Sequence, residues 1–322
     1  MSRTITDGKA FKLGLFSANC SSGLAVTRIP ERWSGSWEDN LRLARLADEV
    51  GIDFLLPIAR WIGYGGDTNF HEGVRDPVAS AAALLAHTRR ITVFSTVHTA
   101  FNHPVVTAKQ LATVDRIGQG RAGVNIVAGW NEPEYRAFGV ELPSDHDDRY
   151  ALAQEWWEII RRIWTEPGSF DHDGRFFTLR GVEGMPKPYD GVLPVLNAGS
   201  STQGRGFAAR NADFAFTIVG GPEDGAGVVR AVRARADEEY GRSVGVFTLG
   251  HVVCRPTRRE AEEYLHHYAD EIERFHRAAF GGMTLSFVDY VGELEYFAQE
   301  VLPRLEARGI RPPVSSTTST ST

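Results

Sequence analysis

The chain has 322 residues, of which 42% are hydrophobic and 24% are charged, and its formal net charge at pH 7 is −6. This composition is ordinary for a globular protein, and the acidic balance without any basic run gives no reason to expect nucleic acid as a partner. The length suits one large (β/α)8 barrel, which needs roughly 250 residues plus insertions.

The cysteines and the two chain ends carry little functional information. Cys20 and Cys254 lie far apart, which predicts neither a disulfide framework nor a metal-ligand cluster. The first residues show no apolar core of a secretory signal, and no apolar run approaches the roughly 18 residues that span a bilayer. We therefore expect a cytoplasmic protein with no membrane partner. We also expect a single domain over residues 1–310, followed by a disordered tail of low complexity over residues 311–322.

Short apolar segments alternate with longer amphipathic segments along the whole chain. The short segments predict strands at residues 12–17, 53–57, 90–97, 122–127, 194–197, 213–218, 246–253 and 283–287. The longer segments predict helices at residues 37–50, from Pro77, from Pro104 to near Gly118, and at 149–165, 203–211, 226–240, 257–279 and 293–307. The stretch between residues 128 and 148 is predicted to be irregular.

Eight strands, each followed by a helix, are typical of an α/β protein of the (β/α)8 TIM-barrel type. The alternative is an open, doubly wound sheet, which usually carries a glycine fingerprint directly after its first strand. Residues 17–23, SANCSSG, lack that spacing. Because a TIM barrel carries its chemistry on the loops that follow the strands, the candidate site residues are those at the strand ends.

Two strand ends carry the most informative motifs. Gly199-Ser200-Ser201-Thr202-Gln203-Gly204 follows a predicted strand and opens a helix, where unpaired N–H groups and hydroxyls can bind a phosphate. The alternative is an ordinary helix cap without a ligand. Asn125 ends another strand, and its amide can donate to and accept from the edge of a ring, although it can equally cap its own loop.

Three further side chains are candidates for substrate contact. His98 and His251 lie near strand ends and can face a pocket, although a single histidine is more often structural. Trp130 follows Gly129 in the loop after the fourth strand, where it is either a packing anchor or part of the pocket. The acidic residues before Arg149 are typical of a helix N-terminus, and we predict no metal site there.

The run QLATVDRIGQGRAGVNIVAGWNEPEYRAFGV, followed by Asp147-Asp148-Arg149-Tyr150, resembles the luciferase-like flavin-dependent monooxygenases. The resemblance is to the pyrimidine oxygenase and dimethylsulfone monooxygenase branch in particular. SSGLAVTRIPER, ARWIGYGG and FDHDGRFFTLRGVEGMPKPYDG also match that branch, so the similarity extends from about residue 12 to about residue 305. One departure is the short connection at residues 257–282, because relatives usually carry a longer insertion there.

The resemblance implies a bacterial-luciferase-like barrel that uses FMN, as FMNH2, and O2 to oxygenate a small organic substrate. It further implies a separate NAD(P)H:flavin reductase as the source of FMNH2, and a homo-oligomer, either dimer or tetramer. The expected substrates are a pyrimidine or other amide, or an organosulfur compound. The alternatives are a deazaflavin (F420)-dependent oxidoreductase, a non-catalytic flavin-binding protein and a metal-dependent barrel hydrolase.

The resemblance also assigns roles to individual residues. Asn125 is placed at the reactive edge of the flavin, and Thr96 lines the oxygen site beside it. The residues expected to bind the cofactor are Ala59, Arg60, Asn125, Glu134, Arg149, Tyr150, Ser200 and Ser201, the last four around the phosphate.

Overall fold

The computed structural model describes residues 4–6, 11–24, 32–66, 69, 71–257, 259–260, 282–287 and 289–312. Eight parallel strands close into a barrel in the order β1-β10-β9-β8-β7-β4-β3-β2. They are β1 (Lys12–Phe16), β2 (Phe54–Leu56), β3 (Thr92–His98), β4 (Ala122–Val127), β7 (Val195–Asn197), β8 (Phe214–Phe216), β9 (Gly245–His251) and β10 (Gly282–Ser286). The predicted (β/α)8 barrel is confirmed.

The described helices surround the barrel. They are α1 (Trp37–Val50), α2 (Pro77–Ala86), α3 (Pro104–Ile117), α4 (Glu132–Ala137), α5 (His146–Thr165), α6 (Thr202–Asn211), α7 (Pro222–Tyr240), α8 (Tyr290–Glu300) and α9 (Leu302–Ala307). Local signals explain where they begin and end. Ser36 caps α1 by accepting from the Asp39 N–H, and Gly51 ends it with a left-handed φ of 82°.

Several predicted elements need correction. The stretch that we expected to be irregular contains α4, and α5 begins at His146 rather than Arg149 because Asp145 caps it. The predicted helix at residues 293–307 is two helices, α8 and α9. An antiparallel hairpin of β5 (Phe170–Asp173) and β6 (Thr178–Val182) was not predicted. Most of the helix expected at residues 257–279 lies outside the described residues.

The inside of the barrel is filled by stacked phenylalanine rings at its N-terminal half. Phe247 stacks on Phe54 and Phe214, with centroids 5.2 and 4.6 Å apart, and Phe94 meets Phe54 edge-on at 5.7 Å. We call these four residues the aromatic floor. Glycines on the neighbouring strands make room for the rings. A Cβ on Gly123, for example, would lie 2.5 Å from the Phe94 ring.

The C-terminal end of the described chain closes the N-terminal side of the barrel. Arg311, which we expected to begin the tail, is buried and donates to the Gly51 carbonyl at 2.6 Å. Its guanidinium also lies 3.7 Å from Asp53, whose carboxylate is 4.0 Å from the ammonium of Lys12. Ordered structure therefore extends to Arg311, while residues 313–322 lie outside the described part. None of the described helices is long and apolar enough to cross a membrane.

Candidate functional site

The C-terminal ends of the barrel strands, with the loops that follow them, form what we call the barrel mouth. At its centre Thr96 on β3 and Asn125 on β4 are register partners. The Asn125 Nδ2 donates to Thr96 Oγ1 at 3.1 Å, and Thr96 Oγ1 donates onward to the Pro57 carbonyl at 2.5 Å. These two hydrogen bonds use the Thr96 hydroxyl donor and one of the two Nδ2 N–H donors of Asn125. The buried Asn125 Oδ1 accepts no hydrogen bond within the described structure, so a donor from a ligand would complete it.

His98, the last residue of β3, lies one strand repeat above Thr96 and is only 4% exposed. Trp61 meets its ring edge-on at 5.3 Å, and Phe101 stacks on it at 5.5 Å. Burial, reinforced by the nearby positive charge of Arg60, lowers the pKa of His98 to about 4. The imidazole is therefore neutral at pH 7. Its buried Nδ1 has no hydrogen-bond partner among the described residues.

Arg60 extends from the loop after β2 across the barrel mouth. Its guanidinium lies over the ring of Tyr64 at 4.3 Å and over that of Trp130 at 5.1 Å, and it donates to the Tyr64 hydroxyl at 3.1 Å. Cation–π contacts of this kind hold a guanidinium in place without neutralising it. Trp130, one of the residues expected to contact substrate, is 55% exposed and lies at the rim of the mouth.

Glu134, on α4, joins two loops of the mouth. Its carboxylate is almost fully buried, and Oε1 accepts from the backbone N–H of Trp61 at 2.9 Å and from that of Ile62 at 3.5 Å. The side chain thereby fixes the loop that carries Ala59 and Arg60. The structure thus gives Glu134 a positioning contact with protein, and the direct contact with FMN stays a prediction.

The N-terminus of α6 forms a compact cradle beside the mouth. Ser201 caps the helix by accepting from the Gly204 N–H at 3.0 Å, and the half-buried Tyr150 lies against the glycines on either side of this cap. A Cβ on Gly199 would lie 2.2 Å from the Tyr150 hydroxyl, and one on Gly204 would lie 2.6 Å from it. The two glycines therefore let the loop, the helix start and the tyrosine meet.

The other predicted cofactor residues are distributed around this cradle. Ser200 is exposed one residue before the cap. Arg149, in the first turn of α5, donates from Nε to the Pro143 carbonyl at 2.6 Å. Burial raises the pKa of Tyr150, and the charge of Arg149 opposes that rise only in part. Ala59 is nearly buried beneath Arg60. His251 ends β9, away from the other candidates, and is exposed.

Some residues that shape the mouth were not singled out from the sequence. The side chain of Asn19 bridges the backbone of Ile58 and Arg75, accepting from the Ile58 N–H at 2.9 Å and donating to both carbonyls. Gly129 has a φ of +109° and packs against Tyr135, whose hydroxyl donates to the Ala128 carbonyl. The sequence placed Gly129 in an irregular loop but did not predict that Tyr135 would support it.

With this geometry in place, comparisons identify the class of protein. Residues 11–309 match the family model described as luciferase-like monooxygenase. The FMNH(2)-dependent dimethylsulfone monooxygenase of Pseudomonas fluorescens (strain Pf0-1) is 34% identical over 274 residues, which are 85% of this chain and 73% of the relative. The pyrimidine monooxygenase RutA of Allorhizobium ampelinum is 32% identical over 250 residues, 76% of this chain and 68% of the relative.

Solved structures agree on the fold. The crystal structure of riboflavin lyase (RcaE), with modified FMN and riboflavin, superposes with a TM-score of 0.85 at 22% identity, covering 95% of this chain and 93% of that chain. The protein belongs to the luciferase-like monooxygenase family, as the sequence motifs predicted.

Proposed function

We propose that this protein is an FMNH2- and O2-dependent monooxygenase that acts on a small organic substrate, such as a pyrimidine or other amide, or an organosulfur compound. The family membership and the names of the relatives support this activity. The observation that carries it is the combination, at one barrel mouth, of the unpaired Asn125 Oδ1 with the Ser201 cradle. A flat cofactor with an anionic tail needs both kinds of site.

The residues at the mouth fit FMN. The start of α6 supplies free backbone N–H groups and hydroxyls for a phosphate, and Tyr150 and Arg149 stand beside it. At the other end, the buried Asn125 Oδ1 can accept from an N–H on the edge of the ring. Ala59 is the small side chain below Arg60, and we propose that it contacts the ring.

The protein's own contribution is position, polarity and exclusion of water. Bound reduced flavin supplies the electrons that activate dioxygen. Thr96 and Asn125 would orient the oxygen, because the hydrogen bond between them fixes both side chains before any ligand enters. His98, neutral and walled by Trp61 and Phe101, would present Nδ1 as an acceptor to a substrate donor. Trp130 and His251 complete the substrate candidates.

We further propose that a separate NAD(P)H:flavin reductase supplies FMNH2. The relatives whose names specify FMNH(2) as the cofactor support a flavin that arrives already reduced. A homo-oligomer and a cytoplasmic location stay predictions.

The test is to mix the purified protein with FMNH2, oxygen and a panel of pyrimidines, amides, sulfones and sulfonates, and to identify products by mass spectrometry. We expect one class to gain a single oxygen atom from 18O2. A parallel assay with reduced deazaflavin under nitrogen separates the rival hydride-transfer activity. Tight binding of deazaflavin without binding of FMN would refute the proposal, as would FMN binding with no oxygenated product from any class.

A further inference from the structure

Arg60 at the barrel mouth has no anionic partner among the described residues. There its one hydrogen bond is to the Tyr64 hydroxyl, and its other close neighbours are the ring faces of Tyr64 and Trp130. A guanidinium has five N–H donors, so most of them remain available. The side chain is only half-exposed, so water can hydrate these donors only in part.

Arg60 acts on the pKa of three buried groups, Cys20, His71 and His98, and none of the three is charged at pH 7. Burial, with help from Arg60, lowers the pKa of His71 and His98 to about 4 each. Burial raises the pKa of Cys20 to about 11, outweighing the opposite pull of Arg60. These three residues lie in the loop after β1, in the loop after β2 and at the end of β3. The charge of Arg60 therefore acts on side chains from three neighbouring parts of the mouth.

Glu134, the carboxylate that joins α4 to the loop carrying Arg60 in the described structure, is already engaged. Glu134 Oε1 accepts from the N–H groups of Trp61 and Ile62, which hold it on the backbone side of the loop. It makes no ion pair with Arg60 within the described chain. The Ser201 cradle, where the cofactor phosphate is proposed to bind, is the N-terminus of α6 after β7, and β4 and β3 separate β7 from β2 in the barrel.

We propose that the side chain of Arg60, which the family resemblance assigned to the cofactor, instead determines the substrate class by binding an organic anion, a carboxylate or a sulfonate, at the rim of the mouth. This inference rests on the proposed function and specifies its substrate. The aromatic faces of Tyr64 and Trp130 fix the position of the guanidinium before an anion binds. The loss of side-chain entropy on binding is therefore smaller. A neutral isostere would leave the donors of Arg60 unsatisfied and would bind more weakly.

The test uses matched pairs of ligands that differ only in charge, benzoate with benzamide and benzenesulfonate with methyl phenyl sulfone. Binding to the FMN-loaded protein is measured by titration calorimetry. We expect the anion of each pair to bind at least roughly tenfold tighter, and Arg60→Gln to abolish that ratio. Arg60→Lys should retain part of it. Arg136→Gln removes an exposed arginine of α4 whose one ion pair among the described residues is with Glu132, and it should leave the ratio unchanged.

Two results would overturn the inference. One is a ratio near one in the wild-type protein, or no binding of either anion. The other is an Arg60→Gln variant that loses affinity for FMNH2 while its preference for anions persists, because Arg60 would then serve the reduced cofactor. FMN affinity is titrated separately in every variant. A protein that prefers anions but binds no flavin would refute the proposed function and leave the anion site standing.

Discussion

The two halves of the barrel interior differ in chemistry although the same strands build both. Along β3 the inward side chains change from Phe94 in the aromatic floor to Thr96 and then His98 at the mouth. In the floor, rings pack against rings with no polar atom to satisfy. At the mouth, Asn125 Oδ1, His98 Nδ1 and Thr99 Oγ1 are buried without a hydrogen-bond partner in the described structure.

This contrast separates stability from function. A buried polar atom without a partner costs about 1–3 kcal/mol, so a cluster of such atoms needs a compensating reason. The reason we give is a ligand that supplies the missing partners. The floor should therefore tolerate changes that preserve volume, whereas the mouth should tolerate changes that preserve hydrogen bonds. Four predictions test that division.

The largest expected effect is at the floor. Phe247→Ala removes the ring that stacks on both Phe54 and Phe214, and should lower the free energy of unfolding by about 3–5 kcal/mol. Denaturant unfolding followed by circular dichroism measures it. Phe247→Leu keeps most of the volume and should be distinctly milder. A loss below about 1 kcal/mol for the alanine variant would contradict the structural role of the floor.

At the mouth, Asn125→Ala should reduce the rate of oxygenation roughly 10²-fold while FMN remains bound, because the phosphate cradle is unchanged. Single-turnover product formation and FMN titration measure the two effects. Asn40→Ala is the matched control, because Asn40 is a buried asparagine on α1 that bonds the Ser36 carbonyl. Normal turnover in Asn125→Ala would remove this side chain from the mechanism.

Ser201→Ala should weaken FMN binding by about 1–3 kcal/mol, the value expected for a lost hydrogen bond to a charged group. The same change also removes the cap of α6, so a control for cap loss is needed. Ser36→Ala removes a serine cap of the same kind from α1. If both variants lower stability but neither changes the FMN dissociation constant, Ser201 is a cap and nothing more.

The smallest expected effect is the pH dependence of stability. His71 and His98 have pKa values of about 4 when folded, below the ordinary 6.5, so the unfolded chain takes up protons first as the pH falls. Stability is therefore lost between pH 6.5 and pH 4. At pH 5.5 the loss should be roughly 1 kcal/mol per histidine relative to pH 7.5. Unfolding curves are measured at both pH values for the wild type and for His98→Gln. The loss of stability between the two pH values should be smaller in His98→Gln by the contribution of one histidine.

The regular parts of the fold could be predicted because their signals are local. The periodicity around Trp37–Val50 and the β-branched run at β3 each specify their own element. The helix α4 could also have been predicted, since Asn131 and Pro133 are a cap and a first-turn proline. The hairpin of β5 and β6 could not, because its short strands are polar and half-exposed and depend on pairing with each other.

The site divides in the same way. Asn125 and Ser201 could be selected from the sequence because Asn125 lies near the end of a strand and Ser201 lies at the start of a helix. In a TIM barrel both positions lie at the C-terminal end of the strands, where the site is expected. The contacts of Arg60 and Glu134 could not be predicted from sequence. Trp130 lies seventy residues from Arg60, and only the closed barrel brings the loops after β2 and β4 side by side.

The carboxylate of Glu134 also has a mechanical consequence. The side chain accepts hydrogen bonds from two N–H groups of the loop after β2, and its backbone belongs to α4. The loop and α4 are therefore linked into one unit at the rim. Separating them would strip a buried charge of its partners, which is more costly than moving both together. We therefore expect the two segments to open together. Amide hydrogen exchange at Trp61 and at the residues of α4 should report the same free energy of opening.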